Sequence, residues 1–396
     1  MTENREVTDM DKARWVCEQL RSLPSAPAEP KEGRICSRLA ELAGILQDVE
    51  DRQVARFVYD KGLSDLLRVF DGHLNDPHVD KSDILLVLKV FALYRYGEGI
   101  NRIPLVARLP EYRDGYLWSV VLEVLARHRE HALAVIDALR EPLPEGSAAV
   151  AYLDLCNHYC REGNLEVHPF DNTAGRRRLK VWLSDPGSAD TAISATAALP
   201  FLRAQGRDAL FSLAFDHLDP SVRMEAAWAC ARLGNASGLK MLQEMCRDPN
   251  HSMRAQEYLE ELGRGDMVPP EAREPDFAAT AEMCRWLAHP MEFGKPPARI
   301  ELHDTRQLFW PPTDDRRQVW LLKYTYDEPD QKESGLGMVG SVTFALFGEA
   351  TADLSAEDAY GLHCAWELQC REDPRAPRKR TAAAGRRILA KYNNGF

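Results

Sequence analysis

Two clusters of residues have types and spacings that could do chemistry. Gly335-Leu-Gly337-Met-Val-Gly340 has the G-x-G-x-x-G spacing of a dinucleotide-binding turn. Such a turn joins a strand to a helix N-terminus, where backbone amides and the helix dipole meet a pyrophosphate. Here a polar stretch from Asp327 to Ser334 precedes the glycines and a β-patterned run follows them, so a flexible hairpin loop is expected instead. Cys156-Asn-His158-Tyr-Cys160, with His168 beyond, offers zinc donors. Thiols four apart share a helical face, but His158 projects from another, and no second cysteine pair stands at finger spacing. Buried structural cysteines are the expectation, and His363-Cys364 with Cys370 is read the same way.

The remaining chemistry is electrostatic. The chain carries 50 Lys and Arg against 61 Asp and Glu, a net charge of −11, which excludes a general polyanion binder. Against that background two basic clusters stand out. Arg176-Arg177-Arg178-Leu-Lys180 is expected to open a helix whose apolar side includes Leu179, Trp182 and Leu183. The last 26 residues hold eight basic and two acidic side chains, among them Arg378-Lys379-Arg380 and Arg386-Arg387. Both clusters are candidate contacts for nucleic acid or an acidic partner; the alternative for the second is a solvated terminal helix that folds back. There is no Gly-x-Ser-x-Gly elbow, Walker loop or His-Glu-x-x-His, so no local motif supports catalysis, although a dispersed site would leave none. No catalytic residue, metal or cofactor is assigned.

These groups must be positioned by helices. From about residue 6 to 290 the pattern is short amphipathic helices, such as the one placing Leu63, Leu66, Leu67 and Phe70 on one face. The middle of the chain repeats itself. Asp219-Pro-Ser-Val222-Arg223 runs through Ala226-Ala-Trp228 to Leu233-Gly234, and Asp248-Pro runs through Met253-Arg254 to Leu262-Gly263. A looser copy starts at Asp185-Pro186 and an earlier one at Asp76-Pro77; the starts at 185, 219 and 248 are 34 and 29 residues apart. Asp caps orphan amides, Pro fits the first turn, and a terminal Gly supplies the left-handed residue that stops the helix. On the helix from Val222 to Leu233 the apolar residues surround the axis, leaving Glu225 and Arg232 as the polar stripe.

Asp-Pro-x-Val-Arg followed by Ala-Ala and Leu-Gly resembles the short HEAT-like repeat. The resemblance implies an α-solenoid in which turn Asp and helix Arg residues form a ladder between repeats, a role that would fall to Asp219, Arg223, Asp248 and Arg254. It also implies a concave face for partners, with Trp228, Glu225 and Arg232 as candidate contacts. Iron-dependent hydroxylases on such scaffolds use His-Glu pairs, and none of the 11 histidines here is followed by Glu.

After Pro290 the texture changes. Strand-like runs at 298–310, 317–326 and 338–347 precede a capped helix from Ser355 to about Cys370. The expected fold class is therefore mostly α: a HEAT-like solenoid over 1–290, clearest at 185–263, then a small α+β domain with a short antiparallel sheet over 298–370, and a basic tail over 371–396. The late aromatic residues are expected to fill the small domain's core, with Trp310 before Pro311-Pro312 as an interface candidate. The expected function is a non-enzymatic scaffold for a protein partner. The alternatives are a nucleic-acid-associated protein, such as the HEAT-like DNA glycosylases, or an enzyme or bilin-type lyase with an unmarked pocket. No membrane span and no secretory leader are read in the chain, and scattered cysteines fit a cytoplasmic setting.

Overall fold

The computed structural model describes residues 8–22, 44, 52–74, 81–93, 96–112, 117–126, 128–327, 332–340, 343–346, 349–369 and 378–396. Asp76-Pro77, Val342, Phe347, Cys370 and residues 371–377 lie outside them. Contacts divide the chain into two compact units, Met1–Val222 and Arg223–Phe396, and the division falls within the Pro220–Arg232 helix. The sheet domain expected to begin near residue 298 thus belongs to a unit that also contains the last helical repeats.

The described part of the first unit is helical. Leu63, Leu66, Leu67 and Phe70 are all buried, as their spacing predicts. The Thr173–Leu183 helix is opened by Asn172, whose side chain accepts from the Gly175 amide at 2.8 Å. Gly175 is required there, because a Cβ would stand 2.5 Å from the Phe170 backbone. Phe170 in turn packs between Tyr152 and Trp182, at ring distances of 6.1 and 5.9 Å.

The repeats keep their stops and vary their starts. Gly234 and Gly263 end two helices at φ 84° and 68°, and the amides of Asn235 and Arg264 reach back to Cys230 and Leu259. Of the three described starts, Asp219 leads directly into its helix, accepting from the Ser221 amide at 2.7 Å. Asp185 and Asp248 instead close small turns onto Gly187 and Asn250, and their helices begin at Ala189 and Ser252. The extra residues behind each proline are spent on that turn.

The second unit closes around a four-stranded antiparallel meander, β1 (Arg299–Trp310), β2 (Asp315–Asp327), β3 (Lys332–Val339) and β4 (Phe344–Leu346), in that order. One face, carrying Leu308, Trp310, Leu321, Leu336 and Met338, is covered by Tyr360, Cys364 and Leu389. The other, with Leu322, Tyr324 and Tyr326, is covered by Ala279, Met283 and Leu287. These last three stand four apart on the Pro275–Leu287 helix, so the sheet is sandwiched between helices on both faces.

The glycine motif is a strand, not a hairpin loop. Gly335 and Gly337 pair with Tyr324 and Leu322 across β2, and a Cβ on Gly337 would stand 2.5 Å from the Met283 sulfur. Glycine therefore makes room for the overlying helix side chain. The strand expected over 338–347 instead begins at Lys332 and stops at Val339, and β4 takes up the pairing.

Buried histidine gives the first unit a pH dependence. His168 Nδ1 accepts from the Phe170 amide at 3.1 Å, so Nε2 carries the proton and donates to Asn157 Oδ1 at 3.0 Å. Asn157 passes the bond on to the Ser194 carbonyl at 2.9 Å. Burial pushes the imidazole down to about 3. Between that value and the unfolded pKa of about 6.5 the unfolded chain binds the extra proton, so stability falls as pH drops below 6.5, by about 1.4 kcal/mol per unit. Urea unfolding at pH 7.5 and 5.0 should show a loss of about 2 kcal/mol from this group. His168→Gln should flatten that slope; an unchanged slope would mean the ring is not held neutral.

Candidate functional site

A cleft of about 590 Å³ opens in the first unit between the Thr173–Leu183 and Arg207–Phe215 helices. Its apolar part is Ala209, Leu210 and Leu213, and its polar wall carries Arg176, Arg177, Lys180 and Arg203 around a single carboxylate, Asp171. The helical period explains the wall: residues 173, 176, 177 and 180 share one face.

Asp171 is the keystone of this wall, with its carboxylate 3 % exposed. Oδ1 accepts from Arg176 Nη2 at 2.5 Å and Nε at 2.9 Å. Oδ2 accepts from the Arg203 Nε at 2.9 Å and from its amide at 3.3 Å. Burial opposes the charge, yet the two arginines outweigh it and hold the carboxyl below its ordinary range. Arg176 also donates to the carbonyls of Arg203 and Gln205, fastening the loop that leads to the next helix. Asp171→Ala should cost about 2–3 kcal/mol, because it strands Arg176 and frees that loop. Thermal unfolding of the variant checks this, and a shift below about 0.5 kcal/mol would remove the clamp from the account.

With both oxygens of Asp171 engaged, the cleft keeps a surplus of positive charge. Arg203 is three-quarters exposed beyond its Nε contact, while Arg177 and Lys180 are exposed and make no ion pair among the described residues. Arg178 points elsewhere and donates to the Pro144 carbonyl. Of the first basic cluster, then, Arg176 and Arg178 are fasteners and Arg177 and Lys180 are available.

The other sequence candidates scatter. Trp228 and Trp310 are buried at 0 % and 1 % exposure, so neither is a surface contact in this fold. Trp310 sits in the sheet core and donates to Glu367 at 2.7 Å; strand alternation puts it on the same inward face as Leu308. Glu225 is interior too, accepting from the Tyr258 hydroxyl, because the helix is enclosed on the side expected to be polar. Leu233 lies past the helix end and is 40 % exposed. Arg232 pairs with Glu261 at 3.5 Å and lies 5.7 Å over the Trp228 ring.

Three of the expected ladder residues, Asp219, Asp248 and Arg254, make contacts within their own repeats. Asp219 and Asp248 serve their own turns, the latter also binding His251 at 2.8 Å. Arg254 lies over Tyr258 and pairs with Glu257, which also takes Arg285 at 2.6 Å.

The basic end is no tail where it is described. Residues 378–390 form a helix packed through Ala382, Gly385 and Leu389. Arg378, Lys379, Arg380 and Arg387 are on its exposed side, and Arg386 pairs with Asp358 at 3.2 Å. The cysteine pair is buried and does not meet His168, whose partners are Asn157 and Phe170. Burial pushes the Cys160 thiol up to about 12, unlike a reactive or metal-binding thiolate.

Side-chain bonds recur at about one repeat length. Asp171–Arg203 spans 32 residues, Asn157–Ser194 37, Glu225–Tyr258 33 and Glu257–Arg285 28. This is how stacked repeats bind their neighbours. Residues 178–263 match the HEAT repeats family. No curated protein and no solved structure matches the chain. The HEAT-repeat segment contains most of the cleft: Lys180, Arg203 and the apolar floor lie within it, and Asp171, Arg176 and Arg177 just precede it. Among the described residues no helix is long and apolar enough to cross a membrane. Sequence reasoning missed Asp171 and Arg203. The one available signal was their separation, which is close to the spacing of the Asp-Pro starts.

Proposed function

We propose that this chain is a protein-interaction scaffold rather than an enzyme. The observation that carries the reading is the HEAT-repeat match over residues 178–263, since such repeats commonly hold protein partners. The cleft supports it: besides Asp171, its lining is cations, aliphatic side chains and the neutral polar groups of Asn172, Thr173 and Gln205, with no His or Cys among them to pair a nucleophile with a base. Among the described residues the thiols are buried and His168 is held by Asn157 and Phe170, so neither adds a nucleophile–base pair.

The test is affinity capture with the full chain as bait, followed by reconstitution of the recovered partner from purified components. A saturable one-to-one complex is the expected result. Failure to recover any reproducible partner, or turnover of a small molecule by the chain alone, would overturn the reading.

A further inference from the structure

We infer that the first-unit cleft takes an acidic, leucine-type peptide segment of the partner: carboxylates against Arg177, Lys180 and Arg203, and an aliphatic side chain on Leu210 and Leu213. This deepens the scaffold reading and rests on it.

The first argument is charge. Among the cleft's lining residues four cations face one carboxylate, and that carboxylate has both oxygens filled by Arg176 and Arg203. Among the described residues Arg177 and Lys180 make no ion pair, and the Arg203 side chain is three-quarters exposed beyond its Nε contact with Asp171. Such a surplus is unusual on a chain of net charge −11. The like charges of Arg177 and Lys180 stand one helical turn apart and repel each other in the free protein. An anionic ligand removes that repulsion.

The second argument separates a peptide from other anions. Ala209, Leu210 and Leu213 put an aliphatic strip beside the cations, which a phosphate or a sugar-phosphate backbone cannot use. The chain's overall negative charge repels a long polyanion at a distance, while a short segment feels mainly the local field. The volume of about 590 Å³ suits a few residues and not a duplex.

The third argument is rigidity. Asp171 and Arg176 lock the loop carrying Arg203 to the helix carrying Arg177 and Lys180, so the two cationic walls are preorganised.

The test uses the full chain and a short fluorescein-labelled peptide repeating Glu-Glu-Leu. Saturable binding that weakens with added salt is expected, with no binding of a Lys-Lys-Leu control. Arg177→Glu with Lys180→Glu should weaken binding about tenfold or more, with unchanged thermal unfolding because both side chains are exposed. Arg177→Ala with Lys180→Ala should give a smaller loss in the same direction. Equal binding of Glu-Glu-Ser, or tighter binding of inorganic polyphosphate or duplex DNA, would overturn the peptide assignment. If the charge-reversed chain still captures the partner at full affinity, the cleft assignment falls and the scaffold stands. If no partner exists for any variant, the scaffold itself falls.

Discussion

Replacing Trp228 with alanine is expected to destabilise the protein by about 3–5 kcal/mol. The indole is fully buried, and its ring lies against Tyr258 at 5.5 Å with an interplanar angle of 32°. Tyr258 is itself fixed by its hydroxyl on Glu225 and by the Arg254 guanidinium 4.4 Å above its ring. Truncating the indole therefore opens a cavity and loosens a stack whose other members include a buried carboxylate. Collapse around the gap is restricted, because the helix is already packed along Ala226, Ala227 and Ala229 and Gly238 lies close against its Ala227 and Ala231 backbone. Urea denaturation of the full chain measures the loss. A change below about 1 kcal/mol, accompanied by lost partner capture, would return Trp228 to the role of a surface contact.

Gly385→Ala should cost about 3 kcal/mol or more, against the usual gain of about 1 kcal/mol for alanine inside a helix. The helices Ala356–Glu367 and Arg378–Ala390 cross backbone to backbone at Gly361 and Gly385. A methyl on Gly385 would overlap the Gly361 carbonyl oxygen, and one on Gly361 would stand 2.5 Å from the Ala382 carbonyl oxygen. Neither obstacle is a flexible side-chain end, so the helices must part. That movement would also pull Leu389 from the sheet core and disturb Asn393, which holds the Phe309 amide at 2.8 Å on the edge of β1. Calorimetric melting tests it, with Arg387→Ala, an exposed neighbour, as the control near zero. A stabilised Gly385→Ala variant would mean the helices do not cross there.

Much of the fold was legible because it rests on local patterns. Leu63, Leu66, Leu67 and Phe70 announced a buried face by spacing alone, and Gly234 and Gly263 announced two helix ends because few other residues accept positive φ. The alternation along β2 revealed a strand whose Leu321 and Leu322 face opposite cores. What stayed hidden depended on what lies across from a residue. Gly335 and Gly337 read as a loop because strand propensity is low for glycine, and only the Met283 side chain explains their place in β3. Glu225 read as surface because its partner hydroxyl is 33 residues away.

The candidate cleft shows the same division. Composition and order along the chain determined that helical repeats of HEAT type occupy its middle, that a small antiparallel sheet follows, and that basic residues cluster near position 177. Only the packed structure decided which of those cations are used up. Arg176 is consumed by Asp171 and two carbonyls and Arg178 by another, while Arg177 and Lys180 remain open beside Arg203. The reason is that helical periodicity is written in neighbouring residues, whereas the partner of a charge is set by which distant segment is brought within about 3 Å of it.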